Sequence, residues 1–192
     1  MKKYFFISLL SVMINAAADL PAGATVPSFN KIKALPERRR LSESHSDQDG
    51  SELLNKPAPA FELRGLDGKI YSLRGLRGKI VVLNFWFIAC KPCVNEMPVL
   101  NNIKNNCDPA KVVFLALSLD SKDAINAFLQ NHKFSYTMLP AAAQVHKQYN
   151  LNAYPTSIVI DARGIVSFVQ IGGPDIGRNL SAAINGALKS RN

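Results

Sequence analysis

Two nearly unbroken apolar runs dominate the middle of the chain. "KIVVLNFWF" (Lys79 to Phe87) and "KVVFLALSL" (Lys111 to Leu119) are rich in β-branched and aromatic residues. That is the pattern of strands buried on both faces. Upstream, Phe61 to Leu63 and Ile70 to Leu73 alternate between apolar and polar around Asp67-Gly68, which predicts a short hairpin. Between the two long runs, Lys91 to about Asn106 reads as a helix. Pro92 fits its first turn, where a missing N–H costs nothing, and Pro98 predicts a kink. "DSKDAINAFLQNH" offers Asp120 or Ser121 as an N-cap, then Ala124, Ile125, Phe128 and Leu129 at helical spacing. "AAAQVHKQYN" predicts a further short helix. "PTSIVIDARGIVSFVQIGG" predicts a hairpin, with strands at 156–160 and 165–171 around a turn at Asp161 to Gly164. "PDIGRNLSAAINGALKS" predicts a last helix with Pro174 in its first turn. The order is hairpin, βαβ, helix, ββ and helix. It implies an α/β fold in which a mixed central sheet carries helices on both faces.

The first residues follow another pattern. Lys2 and Lys3 precede eleven apolar-rich residues, Tyr4 to Ile14, and Ala16-Ala17-Ala18 then gives an A-x-A site. This predicts a secretory signal peptide over 1–18. The run is short for a membrane span, which needs about 20 residues; retention as an uncleaved anchor is the alternative. Residues 19–55 hold "PERRRLSESHSDQDGSE", polar and without periodicity, which reads as a flexible leader. A single domain is then expected over 56–192. Export, to the periplasm above all, would place the cysteines where disulfides persist.

Composition narrows the picture modestly. The 192 residues are 47% hydrophobic and 19% charged, as in globular domains. The net charge of +9 reads mainly as a solvated basic surface. A nucleic-acid partner would call for a basic stripe with interleaved aromatics, whereas the one dense cluster, Arg38 to Arg40, falls in the leader.

The chemistry concentrates in "LNFWFIACKPCVNEMP", Leu83 to Pro98, where two of the three cysteines stand at the junction of a strand and a helix. A helix N-terminus presents free N–H groups and a partial positive charge. Both stabilise a thiolate at Cys90, and Lys91 adds a cation. Such surroundings lower a cysteine pKa and create a nucleophile. Cys93, one turn in, is the expected resolving thiol. A structural staple would close a very short loop and contribute little. A zinc site wants four ligands, and only Cys107, His132 and His146 remain in the domain, without ligand-like spacing. No metal or cofactor is implied. Cys107, about 20 Å along the helix from Cys93, reads as a small buried residue, with a reactive thiol as the alternative.

"NFWFIACKPCVNEMP", with "YPTSIVID" far downstream, resembles the thioredoxin fold and, within it, the exported TlpA/ResA-like thiol–disulfide oxidoreductases. The resemblance covers roughly residues 55–190. It implies that Cys90 and Cys93 form the redox pair and that Pro155 is the family's cis-proline, facing the disulfide. It also implies that Glu96 is the acidic residue these proteins carry three positions after the second cysteine; a plain helix-dipole glutamate is the other reading. The implied activity is exchange with protein disulfides, more in the reducing direction, with a membrane thiol donor as partner and cytochrome c maturation among the possible settings. Two positions depart from thioredoxins proper. Asn84 replaces their buried aspartate, as in TlpA-like proteins, and Ala89 stands where tryptophan often precedes the first cysteine. Trp86 is expected to pack beside the site.

Two other functions fit the fold less well. A peroxiredoxin-like peroxidase would carry a proline and a threonine at the positions of Leu83 and Phe87. A copper-binding assembly protein would space its cysteines by three residues and add a downstream histidine.

Overall fold

The computed structural model describes residues 50–190. The expected signal peptide, most of the leader and His45 lie outside the described residues.

Eleven strands and helices follow one another in the described chain: β1 (Glu62–Arg64), β2 (Ile70–Ser72), β3 (Ile80–Trp86), α1 (Lys91–Asn105), β4 (Val112–Ser118), α2 (Lys122–Leu129), β5 (Thr137–Leu139), α3 (Ala143–Gln148), β6 (Thr156–Ile160), β7 (Val166–Ile171) and α4 (Ile176–Lys189). Five strands form one mixed sheet in the order β5-β4-β3-β6-β7. β3 runs parallel to β4 and antiparallel to β6, and both β3 and β6 are buried throughout. Central strands covered on both faces need continuous apolar sequence, which is why the two long runs were the clearest signal. β1 and β2 form a separate antiparallel pair. Gly68 takes φ 80° in its turn, and the Tyr71 hydroxyl donates to Asp67 at 2.7 Å.

The period of two in β3 sorts its side chains between two cores. Ile80, Val82 and Trp86 join Met97 and Leu100 of α1 and Leu180 of α4. Val81, Leu83 and Phe85 join Val145 of α3 and Tyr149 on the other face. Helices therefore cover both faces, as the sequence pattern implied. Among the described residues no helix is long and apolar enough to cross a membrane.

Two details depart from the sequence pattern. β5 has no signal in the sequence pattern: three residues, Thr-Met-Leu, at the sheet edge pair only with β4, and so short a run has no period of its own. Pro174 lies ahead of α4, whose N-cap is Asp175. Pro98 stands inside α1, which continues through it to Asn105 as the sequence pattern implies. Residues 50–55 carry a 3-10 turn at Ser51–Leu53, and the Asn55 amide donates to Val166 at 2.8 Å.

Candidate active site

α1 begins directly on the first cysteine. Cys90 is its N-cap, and the Cys93 amide donates to Cys90 Sγ at 3.2 Å. The sulfur occupies the place a capping oxygen usually takes, so an orphan helix amide points at it. Cys90 and Cys93 are joined as a disulfide and are only 6% and 2% exposed. Lys91 and Pro92 on the outer side of the turn are exposed.

The loop leading to Cys90 is held from two sides. The Ile88 amide donates to Asp120 Oδ2 at 2.7 Å, and Ser118 Oγ donates to the same oxygen at 2.8 Å. Trp86 is fully buried and packs against Phe128 and Phe134 at ring distances of 5.5 and 5.8 Å. It packs beneath the site, as expected from its position. Asn84, also buried, donates to Ser157 Oγ at 3.2 Å across the β3–β6 pairing. An amide suits that place, since it is satisfied without charge.

The Tyr154–Pro155 peptide is cis and Pro155 is buried. Its surroundings connect it with both ends of the cysteine turn. Tyr154 meets Phe87, three residues before Cys90, edge to face at 5.3 Å. On the other side Gly172 lies against both Pro155 and Glu96. A Cβ there would stand 2.9 Å from Glu96 Oε1 and 3.2 Å from Pro155 Cγ. The Gly172 amide donates to the Pro155 carbonyl at 2.9 Å. Cys90, Cys93, Glu96 and Pro155 are thus brought to one end of the sheet, at the carboxyl end of β3.

Glu96 lies one helical turn beyond Cys93, on the same buried face of α1. Neither carboxylate oxygen has a well-formed hydrogen bond; only the Gly173 amide approaches the carboxylate. Burial disfavours the charged form and pushes its pKa up to about 7; the Gly173 amide opposes this only partly. Cys107 is a free, half-buried thiol at the far end of α1, and burial raises its pKa. It takes no part in this constellation.

Three contributors were not singled out from sequence. Gly172 belongs to a Gly-Gly-Pro run after β7, a turn signal whose packing role needs the third dimension. Of the two N-cap candidates, Ser121 is the cap, accepting from the Ala124 amide, while Asp120 instead holds the Ile88 amide, a role no local pattern announces. His146 carries no metal-like spacing in the sequence. It is buried and bonded at both ring nitrogens, to Leu117 and to Tyr154.

Comparison with known proteins fits this geometry. Residues 54–169 match the model of the AhpC/TSA family, and the chain belongs to that family. It is 30% identical over 135 residues to the thioredoxin-like protein YneN of Bacillus subtilis (strain 168), covering 69% of this chain and 79% of that one. It is 34% identical over 128 residues to the thiol-disulfide oxidoreductase ResA of Bacillus cereus (strain ATCC 10987 / NRS 248), covering 66% and 74%. Among solved structures, a thiol:disulfide interchange protein of the thioredoxin family from Chlorobium tepidum TLS superposes with a TM-score of 0.60 at 27% identity, covering 69% of this chain and 95% of that one.

Proposed function

We propose that this thioredoxin-fold member of the AhpC/TSA family is a thiol–disulfide oxidoreductase that works outside the cytosol on disulfides of other proteins, chiefly as a reductant. The observation that carries the reading is Cys90 Sγ at the N-terminus of α1, accepting the Cys93 amide, with cis Pro155 at the same end of the fold. In the reduced protein that amide and the helix dipole favour the Cys90 thiolate.

The chemistry then follows from the order of the two sulfurs. The Cys90 thiolate attacks one sulfur of a substrate disulfide. A mixed disulfide forms, and the other substrate sulfur leaves as a thiolate. Cys93 loses its proton and attacks Cys90 Sγ, which releases the second substrate thiolate and closes the 90–93 disulfide. Two electrons have passed to the substrate. A thiol donor must return them, and a membrane protein is the expected source for an exported chain. Glu96, with its pKa near 7, is suited to take the Cys93 proton, since a general base works best near the operating pH. Cis Pro155 has no N–H of its own to offer and leaves the neighbouring backbone free to pair with the substrate strand.

The peroxidase alternative lacks its supporting groups. Leu83 is buried inside β3 and Phe87 offers no hydroxyl beside Cys90.

A Cys93→Ser variant, expressed with its own N-terminal segment, tests the reading. Mixed disulfides with exported proteins are expected to accumulate at Cys90, to disappear on reduction, and to be missing from Cys90→Ser. Absence of any trapped adduct would overturn dithiol exchange. The direction is read from the reduction potential: a value near about −120 mV, instead of about −200 to −270 mV, would make the protein an oxidant.

A further inference from the structure

His146 lies on α3, on the opposite face of the sheet from α1, and is 2% exposed. Its Nε2 is 3.2 Å from the Leu117 carbonyl, and its Nδ1 is 2.9 Å from the Tyr154 hydroxyl. A carbonyl can only accept, so Nε2 carries the ring proton and donates. Nδ1 therefore accepts, and the Tyr154 O–H donates to it. Burial holds the pKa of this imidazole down at about 4, so the neutral ring persists at working pH. Phe85 meets the imidazole edge to face at 4.9 Å and fixes its plane.

Tyr154 carries this restraint to the redox centre. Its ring packs on Phe87, its side chain touches the apolar clusters on both faces of the sheet, and its own peptide bond leads into cis Pro155. The ring is only half-buried, as are Phe87 and Ile88 just before the cysteine turn. Packing alone would be met by phenylalanine at 154. The hydroxyl bond adds a directional restraint to the residue against which a substrate strand would lie.

Building on the dithiol-exchange reading above, we infer that His146 is a positioning residue for substrate binding: through the Tyr154 hydroxyl it fixes the Tyr154 ring beside Phe87 and sets the backbone ahead of Pro155 for pairing with a polypeptide that carries the target disulfide. It touches neither sulfur, so its effect falls on protein disulfides and not on the intrinsic reactivity of Cys90.

Steady-state reduction of insulin, and the rate of reaction of the reduced protein with 4,4′-dithiodipyridine, separate the two. Tyr154→Phe removes one oxygen and keeps the ring, so it preserves the fold. A tenfold change corresponds to about 1.4 kcal/mol, the size of one hydrogen bond. Tyr154→Phe and His146→Phe are each expected to raise KM for insulin about five- to tenfold, with kcat and the dithiodipyridine rate within twofold of wild type. The double variant is expected to be no worse than either single one, and His146→Gln, which retains an acceptor, to restore part of the affinity. An unchanged KM in Tyr154→Phe, an equal fall with both disulfides, or additive effects would overturn the inference. The ¹⁵N shift of His146 Nδ1 is read without turnover. It should report a hydrogen-bonded acceptor in wild type and lose that bond in Tyr154→Phe. It distinguishes failure of the pair from failure of the wild-type protein to reduce insulin, which would count against the oxidoreductase reading itself.

Discussion

Glu96 is the residue whose chemistry is most altered by its surroundings. A glutamate on an exposed helix face would ionise near pH 4.5, but Glu96 lies in the second turn of α1 with both oxygens buried and no well-formed hydrogen bond, and its pKa rises to about 7. The base form therefore grows in as pH rises through 7. If Glu96 takes the proton of Cys93, release of substrate from the mixed disulfide should accelerate through the same range. Glu96→Gln is expected to abolish that limb and to slow release about 100-fold, at the low end of general-base effects. Single-turnover release measured from pH 6 to 8.5 checks this; a limb unchanged in the variant would remove Glu96 from the proton path. Cys107 shows the opposite lesson. Its thiol is held above the usual range by burial alone, as for a packing residue.

Among the elements, the loops do the positioning and the strands supply the rigid frame. The β7–α4 connection places Gly172 where any side chain would press on Glu96 and Pro155 together. Gly172→Ala is expected to destabilise the fold by about 1–3 kcal/mol, as overpacking does, and to lower insulin reduction more than the dithiodipyridine rate, because the cis-proline loop is what moves. Thermal unfolding and the two assays report this; a neutral variant would mean that Glu96 simply swings aside. The β4–α2 connection works on the other side of the site. Asp120 accepts from the Ile88 amide and from Ser118, and Asp120→Ala leaves that amide unpartnered at the entrance to the cysteine turn. A cost of about 1–3 kcal/mol is expected from chemical denaturation. Faster amide exchange at Ile88 should accompany it, and protection equal to wild type would show that another group replaces the carboxylate.

At the scale of the whole molecule, two buried titratable groups act on stability in opposite senses. His146 falls from 6.5 to about 4 on folding. The unfolded chain binds its proton between those values while the native protein does not, so this contribution is complete above about 6.5 and is lost as pH falls towards 4. Glu96 rises from 4.5 to about 7. The native protein keeps a proton that the unfolded chain has released, so this contribution is complete below about 4.5 and is lost as pH rises towards 7. From about pH 4.5 to 6.5 the two slopes oppose each other, each at most about 1.4 kcal/mol per pH unit. Relative to wild type, Glu96→Gln should gain stability as pH rises through this window and His146→Phe should gain it as pH falls. Urea midpoints at pH 5.0 and 6.3 for the oxidised proteins test the sign. Variants that run parallel to wild type would show that neither group is perturbed by folding.

The frame and the reacting atoms are legible in the order of residues alone. β3 and β4 are nearly continuous apolar runs because they are covered on both faces, and such runs can be read without knowing what covers them. Cys90 and Cys93 are legible because CxxC at a strand–helix junction is a local arrangement, fixed by a few consecutive residues. The signature Tyr154-Pro155-Thr156 pointed to the cis peptide that the structure contains. The rest depends on which segments meet when the chain folds. β5 exists because β4 offers an edge to pair with, not because Thr-Met-Leu demands a strand. Gly172 meets Glu96, and His146 meets Tyr154, across stretches of chain whose separation leaves no local period. Burial that strips Glu96 and His146 of water is a property of the assembled cores, so neither shifted pKa could be read from the residues themselves.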